Sequence, residues 1–121
     1  TEALNKRSKS VRGSRVHALG VTYKRDTDDI RESPALDVLT LLAKRGARLS
    51  YTDPYVSEIR VLDKRLKGVE ARPAVLRAAD CVVLLTDHKA FALKDILKDA
   101  KIIVDTRNAF KKFKSRKIFK L

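Results

Sequence analysis

The sequence predicts a doubly wound α/β domain, in which helices flank a mainly parallel sheet of about five strands. A mostly apolar run with β-branched members occurs at 15–22 and an unbroken apolar run at 81–86, as in strands that are covered on both faces. A segment with strong helical periodicity at 34–45 follows the first run, and the strand–helix alternation continues to residue 105. The length of 121 residues suits a single domain.

The first predicted helix has start and stop signals at its two ends. Ser33 is a favourable N-cap, Pro34 suits the first helical position, and Gly46 stops the helix after two basic residues. A long charged loop, residues 23–34, therefore connects the first strand to this helix. The apolar face at helical spacing consists of Ala35, Leu36, Val38, Leu39, Leu42 and Ala43.

The later elements are predicted in the same way. A second strand at 48–52 ends at Asp53-Pro54, because proline cannot extend a central strand. The next segment is ambiguous: a helix at 56–66 is one interpretation, and a short edge strand at 69–71 follows. Then come a helix at 74–79 that Pro73 begins, a central strand at 81–86, a helix at 91–100 and a last strand at 101–105.

The formal net charge of +13 is concentrated at the two ends of the chain. Residues 1–15 carry +4, residues 16–110 carry +3 and residues 111–121 carry +6. A high pI suggests nucleic acid as a partner, but a charge excess confined to the ends favours solvated termini over specific nucleic-acid binding. Six like charges predict that the tail, 111–121, is disordered or weakly helical.

The sequence predicts that the chain is divided into three parts. Residues 1–12 are interpreted as the end of a linker helix from a missing upstream part, 13–110 as the α/β domain and 111–121 as a basic tail. The single cysteine, Cys81, suits a reducing cytosol, and no apolar run is long enough for a membrane span.

Several familiar chemistries lack support in this sequence. Glycine occurs only at positions 13, 20, 46 and 68, so no Gly-x-Gly-x-x-Gly dinucleotide fingerprint exists. His17 lies in a predicted strand and His88 in a loop, and no metal-ligand spacing joins them, so no metal site is predicted. Cys81 opens a buried strand, where cysteine behaves as a small hydrophobe rather than a nucleophile.

The charged loop is interpreted as a binding loop at the carboxyl edge of the sheet. Polar groups also follow the later strands: Asp87 and His88 after the strand at 81–86, and 105–108 after the last one. The alternative is that Arg31 pairs with Asp28 or Asp29, and Arg107 with Asp105, in ordinary surface salt bridges.

Motifs after the predicted strands carry a family resemblance. They are Gly20-Val21-Thr22-Tyr23-Lys24, Asp28-Asp29-Ile30-Arg31-Glu32-Ser33-Pro34-Ala35, Tyr51-x-Asp53-Pro54-Tyr55, Thr86-Asp87-His88-x-x-Phe91 and Asp105-Thr106-Arg107-Asn108. In order and spacing they resemble the C-terminal, Rossmann-like UDP-binding domain of the UDP-glucose/UDP-N-acetylhexosamine 6-dehydrogenases, over about residues 3–110. The Thr-Asp-His and Asp-Thr-Arg-Asn motifs look most like the UDP-N-acetylhexosamine branch.

The resemblance implies an NAD-dependent, cytoplasmic oxidoreductase that converts the C6 hydroxyl of a UDP-sugar to a uronic acid. It further implies a homo-oligomer whose NAD-binding and central domains are missing here, so the isolated domain is expected to be inactive, with no catalytic residue. By resemblance, Lys24 contacts the UDP-sugar, with Tyr23 beside it, Arg107 helps to hold UDP, and Arg31 reaches the NAD phosphates. The alternative is a non-enzymatic module that binds nucleic acid or another polyanion through its basic ends.

Overall fold

In the computed structural model, which describes residues 11–120, five parallel strands form one sheet and two antiparallel strands form a hairpin. The helix end predicted at residues 1–12 lies outside the described residues except for its last two. In chain order the elements are β1 (Arg15–Leu19), α1 (Pro34–Lys44), β2 (Arg48–Thr52), β3 (Glu58–Val61), β4 (Lys64–Lys67), α2 (Pro73–Ala78), β5 (Cys81–Leu84), α3 (Leu93–Asp99), β6 (Ile103–Asp105) and β7 (Ile118–Lys120).

The large sheet has the strand order β2-β1-β5-β6-β7, and every neighbouring pair is parallel. The chain proceeds from β1 to β2 on one side and returns to β5 on the other, so β1 and β5 flank the switch point. In an open α/β sheet the loops at the carboxyl ends of such strands form a crevice. The predicted fold class is confirmed, and β1 and β5 pair directly with each other.

Apolar side chains cover the sheet on both faces. Beneath α1 and the hairpin, the core includes Val16, Ala18, Leu39, Tyr51, Ile59, Val61 and Val83. Beneath α2 and α3, it includes Leu19, Leu76, Val82, Leu84, Ile96, Ile103 and Phe110. The continuous apolar sequence of β5 follows from this arrangement, because all four of its residues are buried.

The caps of α1 agree with the sequence. The Ser33 hydroxyl accepts a hydrogen bond from the amide of Ala35 (3.3 Å) and donates to the carbonyl of Val21 (2.9 Å). The cap therefore also attaches the helix to the loop after β1. Gly46 follows the helix with a φ of +90°, a backbone conformation that glycine adopts without a side-chain penalty.

The helix predicted at 56–66 is wrong, because these residues form the hairpin of β3 and β4. The apolar spacing was compatible with a helix, yet in β3 burial alternates along the strand, with Ile59 and Val61 inward. The Tyr51 hydroxyl anchors the start of the hairpin by donating to the carbonyl of Val56 at 3.0 Å. The edge strand predicted at 69–71 is also wrong: these residues form no strand.

The prediction of a disordered or weakly helical tail is wrong for the described residues of that segment. Residues 118–120 form β7 and pair with β6, which is therefore not the last strand. The ring of Phe113 packs edge-on against Phe110, with ring centroids 5.8 Å apart. The ammonium of Lys117 donates to the carbonyls of Leu97 (2.9 Å) and Lys98 (3.2 Å), which lie in the last turn of α3. Apolar docking and this helix-end contact outweigh the repulsion among the exposed cations.

Among residues 11–120, no helix has the length and apolar character that a membrane crossing requires.

Candidate functional site

The candidate site lies where β1 and β5 end and their loops separate. Gly20 makes this close approach possible: a Cβ atom there would lie 2.4 Å from the Cβ of Thr86, and φ is +86°. Thr86 in turn donates from its hydroxyl to the carbonyl of Thr22 at 2.6 Å. The two strand ends are therefore in contact, and the loop after β1 begins directly above β5.

A buried carboxylate joins the loops that follow β1 and β2. Oδ2 of Asp53 accepts from the backbone amide of Val21 (2.8 Å), and Oδ1 accepts from the amide of Tyr55 (2.8 Å). Oδ2 also lies 2.9 Å from Nε2 of His88, and neither of these two side chains is exposed. Asp53 is therefore a structural carboxylate whose acceptor oxygens are already occupied.

His88 extends this network to the loop after β5. Its Nδ1 accepts from the backbone amide of Asp26 at 2.8 Å. Since an acceptor nitrogen carries no proton, the ring is neutral with hydrogen on Nε2, which then donates to Asp53. The sequence placed His88 at this edge but did not identify Asp53 as its partner. A signal for this pair was available, because both residues follow strands that neighbour β1.

Three of the four predicted site residues, Tyr23, Lys24 and Arg31, line one shallow depression of about 200 Å³. The Tyr23 side chain is 49% exposed, and Lys24 is exposed beside it. No ion pair is recorded for the Lys24 ammonium in the described part of the chain. Alongside the hydrogen bonds of Arg31, its charge contributes to lowering the pKa of the nearby Asp29 carboxyl.

Arg31 forms a two-point ion pair with Asp29. Its Nε and Nη2 each lie 3.1 Å from a carboxylate oxygen of that residue. The Arg31 hydrogen bonds hold the pKa of the Asp29 carboxyl below its usual value, and the carboxylate raises the pKa of Arg31. Both side chains are exposed, so this is the surface salt bridge expected as the alternative, and the pair contributes little to stability.

Arg107 does not pair with Asp105 through its guanidinium, so that alternative is wrong. Nη2 donates to the carbonyl of Tyr23 (2.8 Å) and Nε to the carbonyl of Leu85 (3.0 Å). Because a guanidinium has five N–H donors, several remain for a ligand. Arg107 thus brings a cation from the end of β6 to the loop that carries Tyr23 and Lys24.

Asp105 is fully buried and is occupied by its own turn. Oδ1 accepts from the amides of Arg107 (3.0 Å) and Ala109 (3.1 Å), and Oδ2 accepts from the amide of Phe110 (2.8 Å). These bonds shape the turn that presents Arg107, so the carboxylate acts by positioning its neighbour.

His17 and Cys81 lie in the core, away from this edge. Nδ1 of His17 contacts the hydroxyl of Ser50 (2.6 Å) and Nε2 that of Thr52 (2.7 Å), and burial lowers the pKa of His17 to about 4. Burial raises the pKa of the Cys81 thiol to about 11, so it stays protonated at neutral pH. No cluster of potential metal ligands occurs between residues 11 and 120.

A larger cavity of about 680 Å³ lies beside the candidate site, between the end of β2 and α3. Apolar side chains form most of its lining, and none of the four predicted site residues contributes to it. The cations therefore surround an open edge and not an enclosed pocket.

The chain is similar to one family model and to several known proteins. The family model described as "UDP-glucose/GDP-mannose dehydrogenase family, UDP binding domain" matches residues 17–112. UDP-N-acetyl-D-mannosamine dehydrogenase from Methanococcus maripaludis is 34% identical over 108 residues, covering 78% of this chain and 22% of that protein. UDP-glucose 6-dehydrogenase from Rhizobium meliloti is 35% identical over 109 residues, covering 84% of this chain and 25% of that protein.

A solved structure of similar fold is the UDP-D-ManNAc dehydrogenase from Pyrococcus horikoshii, with a TM-score of 0.78 and 30% identity over 98% of this chain and 28% of that chain. The chain thus spans about a quarter of the length of the relatives it matches. Because the family model matches most of the sequence, the chain belongs to the UDP-glucose/GDP-mannose dehydrogenase family, as its UDP-binding domain.

Proposed function

We propose that this domain binds the UDP part of a UDP-sugar through Lys24 and Arg107, with Tyr23 beside them. The observation that carries the proposal is the hydrogen bond of 2.8 Å between the Arg107 guanidinium and the backbone of Tyr23. It brings two cations from different strand ends to one open edge, where a diphosphate is accessible to both. Charge-assisted hydrogen bonds to phosphate oxygens are the strong contacts that such cations make.

In this proposal the domain is one part of an NAD-dependent UDP-sugar 6-dehydrogenase that oxidises C6 of a UDP-N-acetylhexosamine to the uronic acid. The names of several relatives support this sugar class, among them the enzymes from Methanococcus maripaludis and Pyrococcus horikoshii. NAD supplies the hydride acceptor, and Arg31 is the one residue of this chain proposed to reach its phosphates. That role requires the exposed Arg31 side chain to exchange Asp29 for the cofactor.

The remaining chemistry is assigned to domains outside this chain. Cys81 is buried and protonated, and the sequence contains no glycine fingerprint for a dinucleotide. The proposed partners are therefore a UDP-sugar, an NAD-binding domain and a central domain, within a homo-oligomer located in the cytoplasm. The isolated domain binds but does not catalyse.

Titration of the chain with UDP, by calorimetry and by amide NMR, tests the proposal. Lys24→Ala and Arg107→Ala should each weaken UDP binding by about ten- to a hundredfold, the effect of losing one charge-assisted hydrogen bond. Arg31→Ala should bind UDP as the wild type does, since its proposed partner is NAD. Arg60→Ala, which removes an exposed cation from the hairpin, is the matched control for lost charge.

Equal UDP binding by the wild type and by both site variants would remove the assignment. Competing nucleotides and salt separate it from the polyanion alternative. Base-selective binding that persists at about 0.3 M salt supports the site, whereas binding that collapses with salt and shifts only residues 111–120 supports a polyanion surface.

A further inference from the structure

The ring of His88 contacts the loop on both sides of Lys24, once through the backbone and once through a side chain. On one side, the amide of Asp26 donates to Nδ1 at 2.8 Å. On the other side, Nε2 lies 3.2 Å from the hydroxyl of Thr22, and that hydroxyl donates to the carbonyl of Lys24 at 2.6 Å. A single imidazole therefore contacts the loop two residues before and two residues after the proposed phosphate-binding lysine.

We propose that His88 is a positioning residue for Lys24, and that it acts as a neutral imidazole whose unprotonated Nδ1 holds the Asp26 amide. This inference rests on the proposed function, because it explains how Lys24 is held in the position in which it is proposed to bind UDP. His88 does not contact the ligand. It orders the loop that presents the ligand-binding cation.

The ring cannot rotate freely, which makes it suitable for this role. His88 is only 1% exposed, and the rings of Tyr55 and Phe91 contact it edge-on, with centroids at 5.0 and 5.5 Å. The Asp53 carboxylate at 2.9 Å fixes the hydrogen on Nε2. Orientation and tautomer are thus both determined by the surroundings of the ring, and Nδ1 is left as the acceptor.

The loop requires such an anchor because its backbone is strained at Asp26. This residue has a φ of +56°, a left-handed conformation that non-glycine residues adopt only when other contacts hold it. Two bonds hold it here, since Oδ1 of Asp26 also accepts from the amide of Lys89 at 2.8 Å. The pair of bonds joins the loop after β1 to the loop after β5.

Two substitutions separate the functions of the two ring nitrogens. His88→Asn places an amide oxygen near the position of Nδ1, so it can still accept from Asp26 but no longer reaches Asp53. His88→Gln places its amide nitrogen near Nε2, so it keeps the donor to Asp53 and loses the acceptor for Asp26. A role limited to packing gives no reason for the Asp26 amide to be protected in one variant and not in the other.

We expect His88→Gln to weaken UDP binding by about tenfold and His88→Asn by less than about threefold, since one loop-ordering hydrogen bond is at stake. The Asp26 amide should exchange rapidly with solvent in His88→Gln and stay protected in His88→Asn. Ring-nitrogen NMR of the wild type should show a neutral imidazole with hydrogen on Nε2.

The inference is overturned if the two variants lose affinity equally, if His88→Gln binds as the wild type does, or if the hydrogen lies on Nδ1. When Lys24→Ala weakens binding but His88→Gln does not, this inference alone fails and the proposed function stands. When the wild type does not bind UDP, the proposed function fails, and Asp26 amide exchange still shows whether His88 orders the loop.

Discussion

Acidification should destabilise the domain through His17, a buried residue at the centre of the sheet. Its pKa falls from 6.5 to about 4 on folding because burial disfavours the charged ring. Between these values the unfolded chain binds more protons than the folded one, so the free energy of unfolding decreases as the pH decreases. The full difference corresponds to about 3 kcal/mol, which is a large share of the stability of a small domain.

The assay is urea unfolding of the wild type and of His17→Gln at several pH values from 7.5 to 4. Glutamine can still reach one of the two hydroxyls, of Ser50 or Thr52, but it cannot take up a proton in this range. At pH 7.5 the variant should be less stable by about 1–2 kcal/mol, the cost of an imperfectly paired polar contact. At pH 4 it should equal or exceed the wild type in stability.

All other ionisable groups occur in both proteins, so their contributions cancel in the difference between the two curves. The difference should therefore change by about 3 kcal/mol, mainly between pH 6.5 and 4. Parallel curves over this range would refute the reasoning, because they would mean that His17 is not kept neutral by folding.

Three further outcomes are expected. Gly20→Ala should lower the free energy of unfolding by more than about 2 kcal/mol, because the added Cβ would overlap Thr86. Gly13→Ala is the control: its φ is also positive, but no atom lies within 4 Å of the added Cβ, so it should cost about 1 kcal/mol. Equal losses in thermal unfolding would contradict the close approach of Gly20 to Thr86. Lys117→Ala should lower the free energy of unfolding by about 1 kcal/mol and speed amide hydrogen exchange in β7. If the β7 amides of the wild type exchange as fast as those of an unstructured peptide, this strand is excluded. The pure chain should form no NADH from NAD and any UDP-sugar, and measurable formation would overturn the division of roles between domains.

The sequence predicted the elements that have local signals. The limits of α1 follow from Ser33, Pro34 and Gly46, and the central place of β5 follows from its unbroken apolar run. The hairpin was missed because its apolar residues fit a helical period almost as well as an alternating one. The edge strand β7 was missed because the cations of 111–121 indicated a solvated tail, and local charge density does not report the pairing with β6.

The same distinction applies to the site. The positions of Lys24 and Arg107 after strands were sufficient to place both at one edge of the sheet. The network around His88 was not predictable in this way, since it joins residues from three loops through side chains that also occur in ordinary turns. Tertiary contacts determine which polar groups at the strand ends form hydrogen bonds within the protein and which remain available to a ligand.

The contacts of the carboxylates at the strand ends determine which charged side chains are available to bind a nucleotide. The buried carboxylates of Asp53 and Asp105 accept backbone amides, so N–H dipoles balance their negative charge. Asp26 is exposed, and its carboxylate accepts the amide of Lys89 and lies 3.6 Å from Nε of Arg25. Lys24 and Arg107 are the cations of this edge that we propose for the diphosphate. Two charge-assisted bonds contribute about 3–6 kcal/mol, which alone corresponds to dissociation constants from about 6 mM to about 40 μM, and the entropic cost of association weakens binding further. An isolated UDP-binding domain should therefore recognise its ligand weakly, and tight binding requires the contacts of the other domains.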